Sequence, residues 1–159
     1  MKMLTEREIE SKLKDIIADL YRDSAIVPVI VGVWDVADEG DVKGRGDASV
    51  AAIAVAVGIR SYNSFCEPQA DIPCTVALTV RRDACPTGGE FANLIEPLMD
   101  KINVWNADYN EVLDELSTDT FDIGGFQMTG GDTAQNETAW TARISFTLRG
   151  VIKFHETNT

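Results

Sequence analysis

Two runs of carboxylates are the groups in this sequence best suited to chemistry. Asp35, Asp38, Glu39 and Asp41 share a stretch with Gly40, Gly44 and Gly46. Asp108, Glu111, Asp114, Glu115, Asp119 and Asp122 share another, which contains no Lys or Arg. Carboxylate oxygens suit hard cations such as calcium or magnesium. Two carboxyls held at a working separation would also suit glycoside hydrolysis. Neither run has the Asp-x-Asp-x-Asp-Gly spacing of a calcium loop, so solvated acidic faces are the simpler reading.

Nucleophilic chemistry has less to draw on. His155 is the only histidine, so a Ser-His-Asp or Cys-His device would rest on that one imidazole. Cys66, Cys74 and Cys85 lack Cys-x-x-Cys spacing. They read as small buried hydrophobes and reduced thiols rather than zinc ligands or a disulfide framework. Arg45-Gly46-Asp47 and the sequon Asn136-Glu137-Thr138 would matter only in a secreted protein. Gly88-Gly89 and Gly130-Gly131 lack phosphate-loop spacing and read as turns. The expectation is no catalytic residue, no metal and no cofactor.

One basic stripe stands out. Arg143, Arg149 and Lys153 lie at odd positions near the end of the sequence. They are either a solvated face that blunts a sheet edge or a surface matched to an acidic patch on a neighbouring copy. Within the Asp108–Asp122 run, Asp114 and Glu115 are the residues proposed for that patch.

The segment that must position this stripe is the last strand. From Trp140 to Phe154 every even position except Gly150 is apolar. That alternation spans roughly 50 Å of extended chain at ~3.3 Å per residue, well beyond the usual strand of about 5–6 residues. A strand this long can outrun its own core, leaving an edge to be covered by another subunit.

Other elements follow from periodicity and caps. Ile9, Leu13, Ile16, Ile17 and Leu20 predict an amphipathic first helix with a charged opposite face, opened by Thr5 and Glu8 at capping-box spacing. Strands are expected at 26–34, with Pro28 marking an edge or a later start, at 50–62, and at 72–82, with Pro73 at its beginning. Residues 35–47 read as a loop. Thr87 and Glu90 open a second helix, which Pro97 should kink or split. A short helix is expected over 108–116. A strand follows over 121–128, bulged at Gly124-Gly125, and residues 130–138 read as a polar hairpin loop. The whole predicts one domain over 1–159. Its fold class is α+β: a mostly antiparallel sheet of about four or five strands, with two main helices packed on one face and a long C-terminal strand.

Composition narrows the function classes. The formal net charge is −12, unfavourable for general binding of DNA, RNA or an anionic membrane surface. No stretch approaches the about 20 apolar residues of a membrane span. Acidic residues from Glu6 to Asp19 argue against a signal peptide. A cytoplasmic site of synthesis is expected.

The layout resembles a known family. An amphipathic first helix precedes an edge-like strand and a long loop. The strand Cys74-Thr-Val-Ala-Leu-Thr-Val80 leads into another amphipathic helix, and Trp140 opens the long closing strand after a polar loop. This is similar to the tail terminator, or tail-completion, proteins of long-tailed bacteriophages. The resemblance implies a non-enzymatic subunit that forms a hexameric ring. The ring would cap the tail tube, stop its polymerisation and offer a docking surface to the head–tail connector. It implies partners in further copies of the chain, the tube protein and the connector, and a location in the virion tail after assembly in the bacterial cytoplasm. DNA would pass through without specific binding, which suits an acidic chain. On this reading Asp38, Glu39, Asp41, Lys43 and Arg45 of the long loop, with Asp132 of the hairpin, are candidate interface residues. Another neck component and a cation-dependent enzyme are the alternatives.

Overall fold

The computed structural model describes residues 5–34, 50–62 and 69–153. Asp38, Glu39, Asp41, Lys43 and Arg45, the Arg45-Gly46-Asp47 tripeptide, Cys66 and His155 lie outside the described residues.

The chain is α+β. Its elements run α1 (Thr5–Leu20), β1 (Val29–Gly32), β2 (Ala51–Val57), β3 (Ser61–Tyr62), β4 (Gln69–Arg81), α2 (Gly88–Ala107), α3 (Tyr109–Leu116), β5 (Phe121–Gln135) and β6 (Ala139–Ile152). One six-stranded sheet has the order β1-β2-β4-β6-β5, and β3 pairs with β4 beside β2. The β1–β2 pair is parallel and the others are antiparallel.

Period-2 burial builds the core. Ile53, Val55 and Val57 of β2 line one face of the sheet with Ile72, Cys74, Val76, Leu78 and Val80 of β4 and Ala142, Ile144, Phe146 and Leu148 of β6. Ile9, Leu13 and Ile17 of α1, Phe91, Leu94, Leu98 and Ile102 of α2, and Val112 and Leu116 of α3 join them there. Trp105 anchors an aromatic group, edge-on to Phe146 at 6.1 Å and to Phe126 at 6.2 Å. The opposite sheet face carries small or hydroxylated residues: Ala52, Ala54, Thr75, Ala77, Thr141, Ser145 and Thr147, none of them buried.

Several expectations need correction. The closing strand β6 is not an edge. It is interior, paired along its length with β4 on one side and β5 on the other. The edge is β5, which continues through residues 130–135, read in sequence as a loop. The anticipated bulge between Ile123 and Gly125 is present, and a second falls between Met128 and Gly130.

The stretch expected as one strand over 50–62 breaks after Val57. Val57 faces Cys74 while Ser61 faces Asp71, so β2–β3 carries one residue more than β4 over that interval. Pro73 sits inside β4 rather than at its start. A strand residue directs its N–H and C=O to the same side. The Pro73 carbonyl accepts from Gly58 N–H at 2.7 Å, so its missing donor falls where the neighbouring strand is already interrupted.

The helix α2 runs unbroken across Pro97. The buried Tyr21 hydroxyl donates to the Leu94 carbonyl at 2.7 Å. A side chain thus serves a helix carbonyl within a turn of the proline, where the ring disturbs ordinary pairing. Thr87 caps α2 as expected, accepting from Glu90 N–H at 3.2 Å. Thr5 and Glu8 do not form a reciprocal pair; both reach Thr120, at 2.6 and 3.3 Å.

Candidate assembly surface

The basic stripe separates into three different environments. Arg149 directly faces Asp71 across the β4–β6 pair and grips it with two bonds, Nε–Oδ1 at 2.8 Å and Nη2–Oδ2 at 3.2 Å. The Asp71 carboxylate holds the guanidinium above its ordinary pKa. Lys153 pairs with Asp122 at 3.1 Å. Arg143 is exposed, faces Ala77 on β4 and Asp132 on β5, and makes no ion pair among the described residues. Both Arg149 and Lys153 therefore meet acidic partners within their own chain.

The acidic stretch is also partly engaged. Asp108 closes α2 and caps α3, its side chain accepting from Asn110 N–H at 3.0 Å. Glu115 receives Lys101 Nζ at 2.9 and 2.8 Å and the Trp105 indole N–H at 3.3 Å. Asp114 and Glu111 remain exposed on α3. No group of three or more His, Cys, Asp or Glu side chains positioned for a metal ion occurs among the described residues.

Sequence reasoning missed a row of buried charges on α1. Glu6, Glu10 and Lys14 lie one turn apart beside the Ile9–Leu13–Ile17 row, and all three are buried. Glu6 binds Arg60 through Nε at 2.8 Å, Nη2 at 2.6 Å and the main-chain N–H at 3.0 Å. Burial alone would raise the Glu6 carboxyl, but the Arg60 hydrogen bonds outweigh it and leave the pKa lowered. Glu10 accepts from Trp34 N–H at 2.8 Å and Val57 N–H at 3.4 Å. Here burial prevails over those bonds and over the Lys14 charge, so its pKa is raised. Trp34 completes the tie by donating its indole N–H to the Val57 carbonyl at 2.8 Å. The i, i+4, i+8 spacing of these charges beside an apolar row was the available signal. Glu6 and Glu10 fasten the segments after β1 and at the end of β2 to α1, and they face the interior rather than a cleft.

The outer half of β5 presents a different surface. Among the described residues only β6 pairs with β5, and residues 129–135 are exposed. Between this half-strand and α2 lies an open groove of about 520 Å³, lined on its apolar side by Ile95, Met99, Met128, Ala142 and Ile144. Asp132 and Arg143 stand at its border. A second hollow of about 370 Å³ neighbours it, beside Phe91, Ala92, Gln135 and Trp140. Trp140 is held rigidly there: its ring stacks on Phe91 at 5.5 Å and its N–H donates to the Cys85 carbonyl at 2.7 Å. Arg82 covers the ring at 5.1 Å. An apolar groove beside an unpaired strand edge can receive an extended chain segment through main-chain hydrogen bonds.

Comparison with protein-family models and with curated proteins finds no match. No helix among the described residues is long and apolar enough to cross a membrane.

Proposed function

We propose that this chain is a structural subunit of a phage or prophage tail. It is a ring-forming terminator that caps the tail tube, halts its growth and provides the surface on which the head docks. The observation that carries this reading is the β5 edge. A 15-residue strand with one strand neighbour among the described residues runs beside an apolar groove, and such edges are normally paired or defended. The resemblance in layout supports the same reading. Two of the three residues of the basic stripe, Arg149 and Lys153, are engaged in intrachain ion pairs, so association rests on strand edge and groove more than on that stripe.

The implied partners are further copies of the chain in a hexamer, the tail tube and the head–tail connector. The net charge of −12 suits a channel through which DNA passes without being held. The reading requires no catalysis and no cofactor. Electron microscopy of the purified protein mixed with tail tubes tests it. A single ring at one end of each tube, with tube length fixed thereafter, is expected. Tubes that stay bare and continue to grow overturn it.

A further inference from the structure

We infer that neighbouring copies join edge to edge, the β5 strand of one pairing antiparallel with the β1 strand of the next, so that the sheet continues through the assembly. This rests on the ring reading and names the contact that would build the ring. The first observation is that the sheet ends in β1 on one side and β5 on the other, each with a single neighbour among the described residues. The second is that a stretch of each edge lacks charge. Residues 24–34 and 123–131 contain no Asp, Glu, Lys, Arg or His, in a chain that is 25% charged. Proteins ordinarily place charge, especially Lys, on such edges.

The same absence of charge identifies the occupant. Copies of a chain with net charge −12 repel one another over most of their surface. Contact between them is favoured where both surfaces are uncharged, and β1 and the 123–131 stretch of β5, between Asp122 and Asp132, are such surfaces. Strand direction fits as well. The β1 strand runs with β2, against β4, with β6 and against β5, as the pairings dictate. A second copy displaced sideways along the sheet, with its helices on the same side, therefore offers β1 in the sense opposite to β5. That is the antiparallel ladder. One kind of contact then covers both bare edges of every copy, and a head-to-tail contact of this kind can close into a ring. A two-fold β5–β5 pairing would cover one edge and leave β1 bare.

Cross-linking tests the contact. Val31 on β1 and Gln127 on β5 both stand on the sheet face away from the helices. In a Cys66→Ser background, with Cys74 and Cys85 buried, the double variant Val31→Cys/Gln127→Cys should give a ladder of covalent oligomers with a short bismaleimide. Each single variant should give none. In parallel, Gln127→Lys/Thr129→Lys should shift the assembly to monomer in sedimentation velocity while circular dichroism and the melting transition stay unchanged. A ring that persists without a ladder overturns the edge contact and leaves the ring reading standing. Self-cross-linking of Gln127→Cys alone overturns it in favour of the two-fold pairing. Monomer at every concentration, with or without tail tubes, overturns both readings.

Discussion

Arg149 and Asp71 sit directly opposite each other on β6 and β4, joined by a two-point ion pair on the open face of the sheet. The pair changes the meaning of the basic stripe. Reversing Arg149 places like charges in opposed positions of one ladder, which is destabilising. Reversing Arg143 would likewise set two acids opposite each other, because it faces Asp132 on β5, so neutral replacements separate the two sites. Arg149→Gln removes the ion pair and should lower the urea midpoint, whereas Arg143→Gln removes no ion pair among the described residues and should leave it unchanged. Equal effects would mean that the ion pair contributes nothing.

Tyr21 and Pro97 should be energetically coupled. Tyr21→Phe removes the hydroxyl that serves the Leu94 carbonyl in the interior. Leaving buried main-chain groups unpaired costs about 1–3 kcal/mol. Pro97→Ala restores a donor to the helix and should reduce the loss seen in Tyr21→Phe. A double-mutant cycle by urea unfolding checks this; strict additivity would contradict it.

Gly32 is required by Glu10. A Cβ at Gly32 would lie 2.3 Å from Glu10 Oε2, and Glu10 is fixed by main-chain donors at the ends of β1 and β2. Gly32→Ala should destabilise by about 1–3 kcal/mol, as overpacking typically does. The loss should shrink when Glu10 is also Ala. Thermal unfolding of the four proteins decides it.

The Glu6–Arg60 pair should give stability a specific acid dependence. The side chains are only 4% and 18% exposed, respectively, and breaking one partner of a buried pair costs about 3 kcal/mol or more. In the unfolded chain Glu6 takes up its proton near the ordinary value of 4.5, and in the folded chain only at lower pH. Its contribution is complete above that ordinary value and is lost as pH falls through the lower folded one. Glu10 acts in the opposite sense: its raised pKa favours the folded state below the ordinary value, an advantage lost as pH rises through the folded one. Glu6→Gln should thus destabilise fully at neutral pH and progressively less on acidification. Urea unfolding across a pH series measures it, and a pH-independent loss would contradict it.

The parts of the fold that were legible share one property: one face is buried and the other is not. The alternation in β4 and β6 and the apolar stripe of α2 follow from that. The outer half of β5 was illegible because residues 129–135 are exposed on both faces, so Thr129-Gly-Gly-Asp-Thr-Ala-Gln135 has no alternation to betray a strand. The interior position of β6 depends on which strands flank it, a long-range fact that its own residues do not encode. Glu6 and Glu10 belong to the charged face of the first helix, and a carboxylate has the same letter whether it meets water or a buried N–H. By local rules Pro73 marks a strand start and Pro97 kinks or splits a helix. Each is accommodated by a distant partner, the Gly58 interruption for one and the Tyr21 hydroxyl for the other.

Native mass spectrometry of the purified protein measures most directly whether the chain assembles into a closed ring. The expected result is one dominant species of six copies, stable on dilution and absent from Gln127→Lys/Thr129→Lys. A spectrum of monomer alone, unchanged by concentration or by added tail tubes, would contradict it.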